Sequence, residues 1–281
     1  MSDISANSIH SLNLTLCGCG WLGQFLVDAL PEATITGTTR SQEKADALRE
    51  KGVTPVLFTL GDDATSLIKQ SADNAVILNI PPGRKKAVGD DFTRAMTALA
   101  TDFLNAGAKK LIFISTTSVF GNAEGDLTVN APVAPATDSG KVHCDIERFL
   151  LAGQDPRVHV VRLAGLVGGS RHPAKFLAGK ALDKGEQAVN LVHVSDVVNA
   201  LICILKEDDS TSTFPPLMQL CSLVHPRRDD YYRWAAEALA LPAPQFSAEH
   251  NNAADGKKIF SKDCWEALGL TPEYASPFDM L

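Results

Sequence analysis

Leu12-Asn13-Leu14-Thr15-Leu16-Cys17-Gly18-Cys19-Gly20-Trp21-Leu22-Gly23 is the stretch on which the reading of this chain turns. The apolar run 12–17 reads as a strand, and it leads straight into G-x-G-x-x-G at Gly18, Gly20 and Gly23. From Trp21 to Leu30 a helix follows, with Leu22, Phe25, Leu26, Ala29 and Leu30 on one face. In a strand–turn–helix setting each glycine has a physical task. Gly18 allows the tight turn, Gly20 lets a pyrophosphate reach the backbone, and Gly23 lets the helix pack on the sheet. Phosphates then meet unpaired N–H groups at the positive end of the helix, where the backbone of Trp21 and Leu22 lies.

Outward from this turn the chain alternates strands and helices. ATITGTT (33–39) is a β-branched strand, and a helix opens at Ser41, a good N-cap type, with Glu43 in its first turn. VTPVLFTL (53–60) is a third strand, and Pro55 places it at a sheet edge. AVILNI (75–80) is continuously apolar, as a parallel strand buried on both faces must be. Phe92, Met96, Leu99 and Phe103 mark a long helix, LIFIST (111–116) a buried strand, 139–152 a helix and VHVVRLAGL (158–166) a sixth strand. The order predicts an α/β fold, a doubly wound parallel sheet of the Rossmann type. Past residue 166 the pattern loosens into strand-like VNLVHV (189–194) and LMQLCS (217–222), with helices over 196–206, 229–240 and 261–268. The expected organisation is a flexible tail at 1–11, a dinucleotide-binding domain at 12–166, and a smaller C-terminal substrate region at 167–281 packed on the sheet edge with segments returning to it.

Composition narrows the function. A net charge of −7 gives no electrostatic reason to expect nucleic acid or an anionic membrane as partner, leaving a small-molecule substrate. Basic residues are scattered apart from Arg84-Lys85-Lys86, Arg227-Arg228 and Lys257-Lys258. The polar, acidic N-terminus lacks the regions of a signal peptide, and no stretch approaches the roughly 20 apolar residues that span a bilayer, so a cytoplasmic location is expected. There the six cysteines stay reduced. None forms C-x-x-C, so they read as small core residues and not as a metal site.

Which dinucleotide fits is decided at the end of the second strand, where an NAD site carries Asp or Glu for the ribose 2′-hydroxyl. Here Thr39-Arg40-Ser41 offers no carboxylate. Arg40 brings charge and forked donors for a 2′-phosphate, and Thr39 and Ser41 add hydroxyls, so NADP is expected in preference to NAD. The competing reading makes Arg40 a solvated residue beside a helix cap. Ile80, Pro81 and Pro82 end the central strand, and by the switch-point rule their backbone lines the same groove.

Several segments together resemble the extended short-chain dehydrogenase/reductases, the NAD-dependent epimerase/dehydratase family. They are the glycine turn, Leu60-Gly61-Asp62-Asp63, Ile114-Ser115-Thr116-Thr117-Ser118-Val119-Phe120-Gly121, Arg162-Leu163-Ala164-Gly165-Leu166-Val167-Gly168 and Val192-His193-Val194-Ser195-Asp196-Val197. They are collinear over about 12–205. The resemblance implies adenine contacts at Asp62 or Asp63, a substrate-orienting hydroxyl at Thr116, a substrate loop containing Arg171, and a homodimer through helices flanking the site.

The likeness breaks at the catalytic pair. The family uses Tyr-x-x-x-Lys on the helix after the hydroxyl strand. Aligning Glu147 with a common family glutamate puts Ser139 at the Tyr position and His143 at the Lys position. The chain's three tyrosines, Tyr231, Tyr232 and Tyr274, all lie far downstream, and none has Lys four residues on. A serine hydroxyl is a far weaker acid than a phenol, so another group must move any proton. His143, with an ordinary pKa near 6.5, is the local choice. Ser139 and His143 share a helix face; alternatively Ser139 caps the helix and His143 fills space. The four hydroxyls Ser115–Ser118 at a strand end favour a ligand-facing Thr116. Trp21, His193 and Asp196 read as packing or helix-starting residues. The whole points to an oxidoreductase, epimerase or dehydratase acting on a polar metabolite such as a sugar nucleotide. The alternative is a non-catalytic NADP-binding sensor or regulatory subunit.

Overall fold

The glycine turn leaves the sheet from its interior. β1 (Asn13–Cys17), buried from Leu14 onward, pairs in parallel with β2 (Thr34–Thr39) on one side and β4 (Ala75–Leu78) on the other, Leu14 standing opposite both Ile35 and Ala75. β3 (Thr54–Leu57) continues outward from β2, and β5 (Lys110–Thr116) pairs with β4. With β7 (Val158–Leu163) and β11 (Leu217–Leu220) the sheet has seven strands in the order β11-β7-β5-β4-β1-β2-β3. This is the doubly wound, Rossmann-type arrangement. Its order reverses between β1 and β4, the switch point at which such sheets bind ligands. β3, with Pro55, is one of the two edge strands, and every residue of β4 is buried, as its unbroken apolar run requires.

This computed structural model describes residues 12–83, 89–207, 213–247 and 254–281. The tail at 1–11 and Arg84-Lys85-Lys86 lie outside the described residues. The helices α1 (Trp21–Ala29), α2 (Gln42–Glu50), α3 (Thr65–Gln70), α4 (Asp90–Asn105) and α5 (Asp138–Ala152) follow β1 to β5 in turn, with the short β6 (Gly125–Leu127) before α5. The stripes of α4 (Met96, Leu99, Phe103) and α5 (Val142, Ile146, Leu150) bury against Val76, Leu78, Leu111, Phe113, Val158 and Val160. Each such side chain contributes about 1.5–3 kcal/mol through removal from water. A buried lysine closes a further helix, α7 (Val194–Lys206): Lys110 Nζ donates to the carbonyls of Ile204 at 2.7 Å and Glu207 at 2.9 Å.

Contact density divides the chain into two interleaved units. Among the described residues, one takes in those between 12 and 115, 137 and 161, and 201 and 217; the other those between 116 and 136, 162 and 200, and 218 and 281. The second contains β8 (Gly165–Val167) paired with β10 (Leu191–His193), and β9 (Ala181–Leu182) paired with β12 (Gln245–Phe246). In it β6 also pairs with β13 (Lys257–Ile259). α6 (Ala174–Leu177) and α8 (Arg228–Ala238) enclose a core of Val167, Ala174, Leu191, Tyr231, Tyr232 and Ala235, and α9 (Lys262–Ala267) follows β13.

Several local expectations are corrected. The run 158–166 is not one strand: it breaks at Ala164, whose N–H goes to Leu220 while that of Gly165 goes to Asn190, so the chain changes sheets there. The strand expected over 53–60 is ordered as strand only at Thr54–Leu57, and that over 189–194 only at Leu191–His193. Ser41 occupies an N-cap position without a side-chain capping bond. α5 is capped by Thr137, whose hydroxyl accepts from Gly140 N at 3.1 Å, and not by Ser139. Asp196 does not start its helix; α7 begins at Val194. All six cysteines are free thiols, five of them buried, and desolvation pushes Cys17 up to about 12 and Cys19 to about 11.

Candidate functional site

At the switch point the three glycines meet three different surroundings. Gly18 has φ +86°, and a Cβ there would stand 2.5 Å from the Asn79 carbonyl oxygen. Its own N–H donates to Thr38 Oγ1 at 2.7 Å, and Asn79 Nδ2 donates to its carbonyl at 3.1 Å. The turn is therefore clamped between the ends of β2 and β4. A Cβ on Gly23 would lie 2.9 Å from a Leu16 methyl, which is the close approach of α1 to β1. At Gly20 the nearest atom to such a Cβ is the Gly18 carbonyl oxygen at 3.9 Å, so this residue faces open space. Gly20 is the N-cap of α1 and offers no side chain to the first-turn N–H groups. Leu22 is buried, and Trp21 meets Phe25 edge-on at 5.0 Å between ring centroids. A pyrophosphate fits such a cradle: no Cβ fills it, and backbone donors at a helix N-terminus border it.

β2 ends at Thr39, which is buried, and Arg40, which is exposed and forms no ion pair or hydrogen bond among the described residues. Ser41 keeps its hydroxyl clear of helix capping. At the next crossover Asp62 accepts from Thr59 N at 2.8 Å, and Asp63 accepts from Thr65 N at 2.9 Å and from its hydroxyl at 2.6 Å. The Thr65 bonds hold the Asp63 carboxyl below its ordinary pKa. Ile80 and Pro82 are half-buried and Pro81 exposed just beyond β4, beside Gly18.

The hydroxyl strand divides its work. Ser115, fully inside, donates to the buried carboxylate of Glu147, which fixes α5 against β5. Thr116 is half-buried; its oxygen accepts from Ser118 N at 3.1 Å and lies 3.0 Å from Ser118 Oγ, capping the short 3-10 turn Thr117–Phe120. On α5, Ser139 is exposed and His143 is 8% exposed. His143 Nδ1 donates to the Ser139 carbonyl at 2.7 Å, so backbone, not the Ser139 hydroxyl, links the pair. Burial lowers the His143 pKa, against smaller opposing effects of that bond and of Glu147. The ring is therefore neutral near pH 7, with Nε2 as its lone-pair atom.

In the second unit the partners of Lys257 and Asp196 escaped the sequence reading. Lys257, on β13, donates to the carbonyls of Gly121 at 3.1 Å and Thr117 at 3.4 Å, holding the turn that follows Thr116. Burial lowers its pKa. It lies more than a hundred residues from these partners, and no spacing rule connects them. Arg171 lies exposed on the loop after β8, beside His172 and His193. In this unit Asp196 accepts from the backbone N–H of Glu273 at 2.8 Å and Tyr274 at 3.1 Å, so its role is to tie down a distant segment.

A parallel sheet whose switch point carries an intact phosphate-binding turn defines a dinucleotide-binding α/β protein. The model of the NAD dependent epimerase/dehydratase family matches residues 16–214, and the chain belongs to that family. Protein YeeZ of Escherichia coli K12 is 32% identical over 277 residues, covering 95% of this chain and 98% of that protein. Among solved structures, ADP-L-glycero-D-manno-heptose-6-epimerase of Helicobacter pylori superposes with a TM-score of 0.77 at 15% identity, over 98% of this chain and 97% of its own. UDP-glucuronic acid 4-epimerase of Bacillus cereus, in complex with NAD, gives 0.74 at 15% identity over 96% of each chain. A functionally unknown conserved protein from Silicibacter pomeroyi gives 0.73 at 23% identity, over 95% of this chain and 96% of its own. At these identities the solved structures establish the shared fold. Among the described residues no helix is long and apolar enough to cross a membrane.

Proposed function

We propose that this family member is an enzyme that binds NADP in preference to NAD at the β1–α1 turn and acts on a polar metabolite such as a sugar nucleotide. The single observation that carries the reading is Gly20. It is an N-cap with no side chain and open space where a Cβ would stand, between a wedged Gly18 and a packed Gly23. Gly18, Gly20 and the first turn of α1 hold the diphosphate, with Ile80, Pro81 and Pro82 along the groove. Thr39, Arg40 and Ser41 receive the 2′-phosphate, Arg40 supplying a charge that no carboxylate among the described residues pairs with. Asp62 and Asp63 border the adenine side. Bound NADP supplies a hydride acceptor or donor at its nicotinamide.

The chain's own residues then orient substrate and move a proton. Thr116 presents its hydroxyl to a substrate oxygen. His143 acts through Nε2: held neutral by burial and oriented by the Ser139 carbonyl, it takes a proton and does not start with one to give. Fluorescence titration of the purified chain with NADPH and NADH, followed by incubation of the loaded protein with metabolite pools, tests the reading. NADPH binding more tightly, with loss or gain of the reduced-nicotinamide absorbance on adding metabolites, is the expected result. Tight binding with no redox change across broad pools would instead mark a sensor. Arg40→Ala should weaken NADP by about 10- to 100-fold, the worth of one charge-assisted hydrogen bond, and leave NAD unchanged. Equal losses for both would reject the role of Arg40.

A further inference from the structure

Two residues outside the glycine turn grip both peptide groups of Gly18, and each does so with one backbone and one side-chain group. In the peptide before Gly18, the Gly18 N–H donates to Thr38 Oγ1 at 2.7 Å, and the Cys17 carbonyl accepts from the Asn79 N–H at 2.8 Å. In the peptide after it, the Cys19 N–H donates to the Thr38 carbonyl at 2.9 Å, and the Gly18 carbonyl accepts from Asn79 Nδ2 at 3.1 Å. That carbonyl also accepts from the Gly20 N–H at 2.7 Å, so both its lone pairs are in use. Each peptide plane is thus held at its N–H from β2 and at its oxygen from the residue that follows β4.

The backbone halves of this grip need no particular residue type, but the side-chain halves do. Thr38 is 2% exposed inside the sheet. A valine would fill the same β-branched shape and offer no acceptor. Asn79 follows the apolar run of β4 and is half-buried. An aspartate there would set acceptor against acceptor, and an apolar residue would give the Gly18 carbonyl nothing. Packing alone therefore does not account for a hydroxyl at 38 and an amide at 79.

The grip lies directly before the groups that can reach a ligand. The N–H groups of Gly18, Cys19 and Gly20 are spent inside the turn. Those of Leu22 and Gly23, in the first turn of α1, have no acceptor among the described residues. The direction of these free donors is set by the peptides that lead into them.

We propose that Thr38 and Asn79 are positioning residues of the dinucleotide site, whose side chains lock the Gly18 peptides so that the free N–H groups of α1 are aimed at a diphosphate before it arrives. They act through the turn and not on the ligand. Donors fixed in advance bind more tightly because binding does not have to order them. The inference rests on the reading of this turn as a diphosphate site.

The test compares the full-length parent with Thr38→Val, Thr38→Ser and Asn79→Ala. NADPH and NADH are titrated into the parent by fluorescence, and the tighter of the two is carried through the series. Competition with its diphosphate-free fragment, adenosine 2′-monophosphate for NADPH or adenosine for NADH, gives a second affinity for each protein. Thr38→Val keeps the side-chain shape and removes the acceptor, and Asn79→Ala removes the donor. Each should weaken the dinucleotide about three- to tenfold, the worth of one hydrogen bond, and leave the fragment within about twofold of the parent. Thr38→Ser keeps the hydroxyl and should bind the dinucleotide within about twofold of the parent. General damage to the sheet would lower both affinities together. Undiminished dinucleotide affinity in Thr38→Val and Asn79→Ala, an equal loss for the fragment, or a Thr38→Ser variant as weak as Thr38→Val would overturn the proposal. If Thr38→Val does not fold, the two affinities of Asn79→Ala decide it. A parent that binds neither dinucleotide would instead remove the diphosphate reading, and this inference with it.

Discussion

Gly18 and Gly20 lie two residues apart, yet adding one methyl group to each should have opposite consequences. At Gly18 the left-handed backbone (φ +86°) costs an alanine about 1–2 kcal/mol. The new Cβ, 2.5 Å from the Asn79 oxygen, meets backbone that can yield only by moving the end of β4. Overpacking of that kind adds about 1–3 kcal/mol, so Gly18→Ala should lose about 2–5 kcal/mol of stability. At about 2–4 °C per kcal/mol, the melting temperature should fall by about 4–20 °C. Gly20→Ala meets nothing nearer than 3.9 Å, at φ −88°, and its stability should change by less than about 0.5 kcal/mol. The same methyl, however, stands where the diphosphate must approach. Loss of one charge-assisted backbone hydrogen bond lowers dinucleotide affinity by about 10- to 100-fold. Thermal unfolding without ligand and NADPH titration of the two variants separate these effects. The reasoning fails if Gly20→Ala binds NADPH as the parent does, or if it destabilises the protein as much as Gly18→Ala.

Three further outcomes are expected. Burial, and secondarily Lys175, lowers His172 from 6.5 to about 4. The unfolded chain therefore takes up the proton first, and stability should decline as pH falls from about 6.5 toward 4, then level off. An NMR midpoint for His172 at or above 6.5 would contradict this. Lys110→Met strands the Ile204 and Glu207 carbonyls at the end of α7 and should cost about 1–3 kcal/mol, with amide exchange fastest in the last turn of that helix. Unchanged exchange there would dismiss the cap. Glu147→Ala leaves the Ser115 hydroxyl buried without its acceptor and should cost at least about 1–3 kcal/mol in urea unfolding, whereas Glu147→Gln, which keeps a carbonyl there, should cost less.

Much of the fold was legible because its signals are local. The turn at 18–23, the buried run 75–78 and the stripes of α4 and α5 each carry their evidence within a few residues. Pro55 likewise revealed an edge strand. The reading failed where partners are distant. Nothing in Arg162-Leu163-Ala164-Gly165 announces that the backbone changes sheets at Ala164, because the apolar run is continuous across the switch. A short helix such as Thr65–Gln70 has too few residues to display a period. His193 sits in an apolar Val-His-Val setting that reads as core, and nothing local announces that Tyr274 stacks on it from 81 residues downstream. Asp196 looked like a helix starter because its true partners, at 273 and 274, lie 77 and 78 residues downstream.

The pairing of β6 with β13 bears on how this protein emerges from the ribosome. Residues 125–127 complete their ladder only with residues 257–259, and the ammonium that steadies the Thr117–Gly121 turn arrives on that same late strand. During synthesis the stretch just after the hydroxyl strand must wait, unsupported, for some 130 further residues. At elongation rates of about 5–20 residues per second, that wait lasts roughly 7–26 seconds. Until then the turn after Thr116 lacks the two bonds that Lys257 gives it in the folded chain.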